Sequence, residues 1–346
     1  MTNDIRYVVL GAGAIGCAVG GLLLDAGSRV AFVARTAQAE AIRRGIVIKQ
    51  PNREVRVKGE ALTDIRQAEP EPDDVILLAT KSQSTLASLE ELSTVYPRSV
   101  PVVSLQNGVG NEPLAAARFD NVYAGLVMLS AVQLEPELIT LPMGDEVAVG
   151  LYPGGVDDLA RQMAADLTRA GFDCIASAYV MEMKWGKLVA NLNNATHAIT
   201  GYWLELGYAD REMRRLMREV REEGLRVLDA AGIAVEPPAG EPSPIRIREM
   251  TRALDRPPKP DNEAANLPER DRTYASMWQD LHLGRKSSEA EFLNGEITGL
   301  GSRLSIPTPY NSTLLDIINR MFDEGLKPGI YTPAELRALI ISRADV

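Results

Sequence analysis

The sequence predicts an α/β protein in which an N-terminal, doubly wound parallel sheet precedes an all-helical C-terminal domain. Up to about Asp173, short β-branched runs alternate with helical stretches, and from Ala178 long amphipathic patterns replace them. The length of 346 residues also favours two domains, because a single hydrophobic core stops growing at roughly 250 residues. We therefore expect an α/β domain at residues 1–177 and a helical domain at residues 178–346.

Short runs rich in β-branched residues are the clearest strand candidates. They are Ile5–Leu10, Arg29–Val33, Val75–Ala79, Val100–Leu105 and Val122–Met128. The runs Ile46–Ile48 and Val55–Val57 are typical of a hairpin. Leu138–Leu141 and Val147–Leu151, which Met143-Gly144-Asp145 separates, are expected to form an antiparallel extension at one edge of the sheet.

Four amphipathic patterns predict the helices of the second half. They run from Val180 to Ala198, from Glu205 to Gly232, from Ser276 to Leu300 and from Pro309 to Glu324. Prolines concentrate between Glu236 and Arg272 and favour an extended loop, with room for a short helix at Arg246–Leu254. Near the C-terminus, Thr332-Pro333-Ala334-Glu335 forms a capping box that starts a final helix.

Composition excludes several classes of protein. The 37 Lys and Arg against 47 Asp and Glu give a formal charge of −10, which repels nucleic acids and anionic membranes. Cys17 and Cys174 are too few for a disulfide framework or a zinc ribbon, so we expect no structural metal. No secretory signal pattern opens the chain, and no apolar run approaches the roughly 18 residues of a membrane helix. We therefore expect a cytoplasmic protein.

A glycine-rich turn follows the first predicted strand. Ile5–Leu10 leads directly into Gly11-Ala12-Gly13-Ala14-Ile15-Gly16 and then into a helix of small residues. Gly11 permits the tight turn, Gly13 lets the backbone approach a pyrophosphate, and Gly16 lets the helix lie close to the strand. This order predicts a dinucleotide-binding, Rossmann-type domain with its cofactor at residues 11–16; a glycine-rich packing turn is the alternative.

The end of the second strand indicates which dinucleotide binds. NAD-binding proteins usually place an acidic residue there, against the ribose hydroxyls. Here the strand ends in Ala34-Arg35-Thr36, and a guanidinium suits the additional 2′-phosphate of NADP. Arg43 and Arg44 add positive charge nearby, and a solvated surface arginine is the alternative interpretation of Arg35.

Polar residues follow two further strands. Lys81 comes after Val75–Ala79, and Gln106-Asn107-Gly108 comes after Val100–Leu105. Ligands of open α/β sheets bind beyond the carboxyl ends of the strands, so either group could reach a cofactor or substrate. The Asn107-Gly108 pair is equally well explained as a simple turn.

A polar stripe runs along the first helix of the second half. Lys184, Lys187, Asn191 and Asn194 are spaced to share one face, although asparagine is a poor helix former. A solvated face would explain the stripe, but its neighbours are apolar. A lysine that protein encloses can donate a proton near neutrality. For His197 and His282 we expect structural roles.

Together these motifs resemble the ketopantoate reductase family, also called 2-dehydropantoate 2-reductases. The resemblance is carried by the glycine turn, Lys81, the Gln106-Asn107-Gly108 turn, Lys187-x-x-x-Asn191, and a segment with Ser276-Met277-Trp278-Gln279-Asp280-Leu281, Gly284-Arg285, Glu289 and Leu293-Asn294-Gly295. It spans most of the chain. It implies an NADPH-dependent oxidoreductase that reduces ketopantoate to pantoate in pantothenate biosynthesis, with the cofactor on residues 1–177 and the substrate-binding and catalytic residues on 178–346.

The resemblance also implies roles for individual residues. Lys187 would be the general acid at the keto oxygen, and Glu289 would orient the substrate hydroxyl or the lysine. Asn191 and Asn194 would hold the substrate, and Ser276 would bind its carboxylate. Lys81 and Asn107 would line the cofactor and substrate cleft, and Arg35 would bind the 2′-phosphate.

Three features depart from the family's pattern. The second asparagine of its helix motif would fall at Ala195, so Asn193 or Asn194 compensates. The interval after Ser276 is one residue longer than usual, and we favour Glu289 over Ser288 for the carboxylate. The proline-rich stretch 236–272 is long and could reshape the mouth of the cleft.

The sequence is also consistent with two other functions. The same fold and cofactor would serve a reductase of another 2-keto acid or of an imine. A non-catalytic, NADP-sensing regulator is the second alternative, although a sensor needs no proton donor such as Lys187. The apolar helices of the second half are also compatible with a homodimer.

Overall fold

The computed structural model describes residues 5–256, 266–269, 272–286 and 288–344. The chain forms two compact units, a first unit of Met1–Lys184 and a second unit of Trp185–Val346. The domain boundary expected between residues 177 and 178 stays a prediction. No helix within the described ranges combines the length and the hydropathy that a membrane crossing requires.

The first unit is built on a 10-stranded sheet. Its strands are β1 (Arg6–Leu10), β2 (Arg29–Val33), β3 (Ile46–Gln50), β4 (Arg53–Val57), β5 (Glu60–Leu62), β6 (Asp74–Leu78), β7 (Val102–Ser104), β8 (Val122–Glu135), β9 (Leu138–Leu151) and β10 (Asp173–Ala176). Their order is β4-β3-β9-β8-β7-β6-β1-β2-β5, and β10 pairs with β9. Every neighbouring pair from β8 to β5 is parallel, which confirms the predicted fold class.

Helices cover both faces of this sheet. They are α1 (Ala14–Asp25), α2 (Thr36–Arg44), α3 (Thr85–Ser93), α4 (Asn111–Ala116), α5 (Asp158–Arg169) and the start of α6 (Val180–Asn191). Successive residues of a strand point to opposite faces, so Tyr7 and Val9 pack in the core that α1 and α5 share. Val8 and Leu10 pack on the other face, against Leu89 of α3. Both faces of β1 are therefore buried, as the continuous apolar run predicts.

The segment Leu138–Leu151 does pair in an antiparallel fashion, with β8, but the expectation of a broken extension at the edge of the sheet is wrong in two respects. Leu138–Leu151 forms one continuous strand, and β9 lies inside the sheet between β3 and β8. Gly144 adopts φ of +79°, and an added Cβ would lie 2.2 Å from the carbonyl oxygen of Met128. The glycine thus carries the strand through an irregular register instead of ending it. The hairpin of β3 and β4 is confirmed, with Ile46 opposite Val57.

The described part of the second unit, residues 185–344 with its gaps, contains helices and no strand. After the remainder of α6 these are α7 (Asn193–Thr200), α8 (Leu204–Ala209), α9 (Arg211–Ala230), α10 (Ile247–Ala253), α11 (Ser276–His282), α12 (Asn294–Leu304), α13 (Pro309–Asp323) and α14 (Pro333–Ala344). Three predicted helices are therefore divided. Leu192 separates α6 from α7, Asp210 caps the start of α9 through the N–H of Met213 at 2.7 Å, and Gly284 with φ of +65° follows α11.

Two further predictions about this unit are confirmed. The short helix in the proline-rich stretch is α10, while residues 257–265, 270 and 271 of that stretch lie outside the described ranges. At the C-terminus, Glu335 accepts a hydrogen bond from the Thr332 N–H at 2.8 Å, and its own N–H donates to the Thr332 hydroxyl at 3.3 Å. This reciprocal pair is the capping box at the start of α14.

His197 lies in the core of the second unit. Its side chain is buried on α7, and Nδ1 lies 3.0 Å from the carbonyl oxygen of Tyr202. Burial lowers the pKa of His197 to about 4, so the ring is neutral at pH 7 and Nδ1–H donates to Tyr202. These contacts support a structural role.

His197 should make the stability of the protein depend on pH. Between pH 6.5 and about 4 the unfolded chain binds a proton at His197 that the folded chain excludes, so stability falls as the pH falls. We expect urea unfolding at pH 4.5 to show a loss of about 2–3 kcal/mol relative to pH 7 from this residue. His197→Asn keeps a donor for Tyr202 and should lose correspondingly less over the same interval. An equal loss in both proteins would contradict this account.

Candidate active site

The glycine turn between β1 and α1 brings backbone segments unusually close together. Gly11 has φ of +103°, and a Cβ there would lie 2.5 Å from the backbone nitrogen of Thr80. A Cβ on Gly16 would lie 2.2 Å from the carbonyl oxygen of Gly11. Side chains at either position would therefore collide with backbone, in agreement with the tight turn predicted at Gly11 and the close helix–strand packing predicted at Gly16.

Gly13 has the opposite environment. It is exposed at the N-cap of α1, and an added Cβ would meet no heavy atom within 4 Å apart from its two chain neighbours. Ala12 is buried and its N–H points to the carbonyl of Val33 at 3.3 Å, while Ala14 and Ile15 form the half-buried first turn of α1. The first N–H groups of a helix have no intrahelical acceptor, so this open turn can bind an anion.

Arg35 lies at the carboxyl end of β2, directly beside this turn. Because β1 and β2 are adjacent and parallel, with Leu10 opposite Val33, their ends meet at one edge. The Arg35 side chain is exposed, and it makes no hydrogen bond or ion pair with any other described residue. Arg43, in contrast, donates from Nε to the carbonyl of Ala61 at 2.9 Å. Of Arg35 and Arg43, Arg35 is therefore the residue whose guanidinium is available to bind a ligand.

Lys81 and Asn107 follow the neighbouring strands. Lys81 is exposed after β6, at the start of a 3-10 turn (Ser82–Ser84), and Asn107 is half-buried after β7. Gly108 has φ of +80°, so the Asn107-Gly108 pair does form a turn. Since β7, β6, β1 and β2 are consecutive in the sheet, all the predicted cofactor residues lie at one edge of the first unit.

A buried hydrogen-bond network links the two loops after β6 and β7. The Gln106 side chain donates to the carbonyl of Thr80 at 2.8 Å and to the Thr85 hydroxyl at 2.7 Å. That hydroxyl donates to Asn111 Oδ1 at 2.7 Å. Asn111 Nδ2 in turn donates to the carbonyl of Asn107 at 2.9 Å. The network joins residues far apart in sequence, so no local pattern predicts it, and it holds the backbone of Asn107.

Lys184 does not belong to an open polar stripe, which corrects the sequence interpretation. Its side chain is 3 % exposed, and Nζ lies 2.6 Å from Oε1 of Glu112, which is fully buried. Nζ also donates to the carbonyls of Gln106 at 2.9 Å and Gly125 at 3.3 Å. Helical periodicity placed Lys184 with Lys187, but it gave no sign of Glu112 as a partner.

The second unit carries the other predicted site residues. Lys187 and Asn191 are half-buried on α6, one helical turn apart. On α7, Asn194 is half-buried and its Nδ2 donates to the hydroxyl of Ser276 at 3.3 Å. Ser276 is exposed at the first position of α11. The structure therefore brings Asn194 and Ser276 together.

Asn193 faces the core instead. Its side chain is 2 % exposed and donates to the carbonyl of Met217 at 3.1 Å, while Ala195 is completely buried. Of the two asparagines that could compensate for Ala195, Asn194 is therefore the one beside Ser276. Glu289 is half-buried at the start of the 3-10 turn Ala290–Phe292. Ser288 accepts a hydrogen bond from the Ala290 N–H at 3.2 Å, so its hydroxyl caps that turn.

The described side chains include no group of three or more His, Cys, Asp and Glu that could hold a metal ion. Cys17 is buried and in contact with the carbonyl of Ala12 at 3.2 Å, and burial raises the pKa of its thiol to about 12. Burial likewise raises the pKa of Cys174 to about 12. Neither thiol is a nucleophile at neutral pH.

The fold defines a Rossmann-type α/β protein with a helical second unit. The family description "Ketopantoate reductase PanE/ApbA" matches residues 7–154, and "Ketopantoate reductase PanE/ApbA C terminal" matches residues 179–322. The 2-dehydropantoate 2-reductase of Archaeoglobus fulgidus is 30% identical over 325 residues, which cover 93% of this chain and 99% of that protein. The chain belongs to the ketopantoate reductase family and is an oxidoreductase.

Solved structures agree with this assignment. A PanE/ApbA family ketopantoate reductase from Ralstonia eutropha JMP134 is similar with a TM-score of 0.77 and 27% identity, over 93% of this chain and 99% of that one. D-mandelate dehydrogenase in a ternary structure with NADH and anilino(oxo)acetate gives a TM-score of 0.78 at 20% identity, with the same coverage of 93% and 99%. The second likeness concerns the fold alone.

Proposed function

We propose that this protein reduces 2-dehydropantoate (ketopantoate) to pantoate with NADPH, a reaction of pantothenate biosynthesis. Membership of the ketopantoate reductase family and the nearly full-length match to the Archaeoglobus enzyme support the reaction. The observation that carries the cofactor proposal is the open glycine turn at Gly13 with the exposed Arg35 beside it. A 2′-phosphate would supply the anion that this guanidinium lacks.

The cofactor would be held by the first unit. Residues 11–16 would bind its pyrophosphate at the N-terminus of α1, Arg35 its 2′-phosphate, and Lys81 and Asn107 would line the cleft beside it. Bound in this way, the reduced nicotinamide supplies the hydride. The NADH-bound D-mandelate dehydrogenase has the same fold, which makes NADH the relevant alternative in a test.

Lys187 would act on the keto oxygen. Addition of hydride to the carbonyl carbon moves the π electrons onto oxygen, where a positioned ammonium stabilises the developing charge. Lys187 would then transfer its proton to that oxygen, which yields the hydroxyl of the product and a neutral amine that solvent reprotonates. Half-burial of this side chain on α6 is compatible with such a role.

The substrate would bind to side chains of the second unit. Asn191 lies one turn beyond Lys187, and the hydrogen bond between Asn194 and Ser276 supports the proposal that this amide and hydroxyl bind the substrate carboxylate. Glu289 would orient the substrate hydroxyl or Lys187. The capping contact of Ser288 with Ala290 supports our choice of Glu289 over Ser288. Cytoplasmic location and a homodimer remain predictions.

A panel of 2-keto acids tests the proposed substrate. We expect kcat/KM for NADPH-dependent reduction to be higher with 2-dehydropantoate than with pyruvate, 2-ketoisovalerate or phenylglyoxylate. Ala195, where the family has an asparagine, is the reason to include bulkier acids. A hundredfold preference for another acid would refute 2-dehydropantoate as the substrate but would still support reduction of a 2-keto acid. NADPH binding without turnover of any keto acid or imine would favour the sensing regulator.

Lys187→Ala should abolish turnover without abolishing cofactor binding. Loss of the proton donor and of the charge at the keto oxygen should lower kcat by about 10³-fold or more. The dissociation constant of NADPH, measured by fluorescence, should change little. Lys49→Ala, at an exposed lysine paired with Glu54 across the β3–β4 hairpin, is the matched control and should behave as wild type. A nearly active Lys187→Ala enzyme would refute the assignment.

Arg35→Asp should shift cofactor preference toward NADH. Removing a charge-assisted contact to the 2′-phosphate should lower the NADPH to NADH ratio of kcat/KM by about 10- to 100-fold. Arg98→Asp makes the same charge change near the amino ends of β7 and β8, where Arg98 pairs with Asp120 at 2.9 Å. This control should leave the ratio unchanged. An unaltered ratio in Arg35→Asp would mean that another residue binds the phosphate.

A further inference from the structure

The ammonium of Lys184 is buried and paired with the buried carboxylate of Glu112 near the predicted site. Nζ donates to the Gln106 carbonyl at 2.9 Å and to the Gly125 carbonyl at 3.3 Å, and it forms an ion pair with Glu112 Oε1 at 2.6 Å. Two of the three N–H donors of the ammonium are therefore used by backbone carbonyls, and its charge is balanced by the Glu112 carboxylate. These partners come from three different elements: the loop after β7, helix α4 and strand β8.

We propose that Lys184 is a positioning residue that orients Asn107 for cofactor and substrate. This inference rests on the proposed function. Lys184 would touch neither ligand, and its effect would be transmitted by the peptide group between Gln106 and Asn107. It is therefore distinct from Lys187, the proposed acid, which lies one turn further along α6.

The geometry of the peptide bond explains the effect. A trans peptide group is planar, with its C=O and N–H pointing in opposite directions. When Lys184 binds the carbonyl of Gln106, it also sets the direction of the Asn107 N–H. On the other side of Asn107, its own carbonyl accepts from Ser82 Oγ at 3.1 Å and from Asn111 Nδ2 at 2.9 Å. Both peptide groups that flank Asn107 are thus held.

Stability alone is a poor explanation of this ion pair. Burial of two charges costs desolvation that their attraction only partly offsets, and well-packed apolar residues of similar volume often serve equally well. An apolar pair, however, would leave the Gln106 carbonyl without its donor. The feature that methionine and leucine cannot reproduce is the orientation of the turn, and that difference can be measured.

The decisive variant removes both charges together. Lys184→Met with Glu112→Leu avoids an isolated buried charge, so the double variant should fold, with a Tm within about 5 °C of wild type. We expect kcat for the keto acid to fall by about tenfold or more, because small misplacements of positioning groups are costly. The dissociation constant of NADPH should rise by about tenfold.

Two controls separate orientation from stability. Arg6→Met with Asp74→Leu removes a comparable buried pair, Nε to Oδ1 at 2.6 Å, at the amino ends of β1 and β6. It should keep kcat and NADPH affinity within about twofold of wild type. Glu112→Gln keeps an acceptor and leaves Lys184 on the Gln106 carbonyl, so it should lower Tm yet keep kcat within about threefold.

Three results would overturn the proposal. The folded Lys184→Met, Glu112→Leu variant could keep both kcat and NADPH affinity within twofold of wild type. The Arg6→Met, Asp74→Leu control could lose as much kcat and NADPH affinity as the Lys184→Met, Glu112→Leu variant. Glu112→Gln could lose as much kcat as the double variant, which would assign the effect to the charge pair and not to the carbonyl.

Failure of the proposed function would look different. Wild-type protein that binds NADPH but reduces no 2-keto acid would refute the reaction, while the NADPH affinities of the variants would still decide the role of Lys184: a tenfold weaker affinity supports it, and an affinity within twofold overturns it. Wild-type protein that binds no NADPH would refute the proposed function itself.

Discussion

The close approach of backbone segments at the turn after β1 is the constraint on which the rest of the site depends. Gly11 leaves no space for a Cβ beside Thr80, and Gly16 leaves none beside the carbonyl of Gly11. These contacts seat α1 against β1 and tie the turn to the loop after β6. Because of this packing, the exposed Gly13 stands at the open N-terminus of the helix, where an anion can approach the backbone.

The remaining polar groups of the first unit are arranged around that turn. Parallel pairing of β7, β6, β1 and β2 aligns their carboxyl ends, so the side chains that follow them share one edge. Arg35 and Lys81 are exposed there, whereas Asn107 is held by a buried network. Exposed charged side chains give a ligand access to these loops, and the buried network holds the loop backbone in a fixed position.

Local patterns in the sequence were sufficient to predict the fold class, the glycine turn and the final helix. Alternation of strand and helix, the glycine spacing and the capping box at Thr332 each depend on neighbours close in the chain, and the structure has all three. The pairing of Lys184 with Glu112 depends instead on residues far apart in sequence, so periodicity alone assigned Lys184 to the wrong environment. Gly144 was likewise misjudged, because a glycine within a strand resembles a turn.

Titration of the Gly13→Val variant with NADPH tests the central claim most directly. Beyond its two chain neighbours, a Cβ at this residue meets no heavy atom within 4 Å, and its φ of −81° suits valine, so the fold and Tm should be preserved. The side chain would nevertheless occupy the space that the pyrophosphate needs. The account predicts a dissociation constant at least about tenfold above wild type; a constant within twofold, in a protein of unchanged Tm, would contradict it.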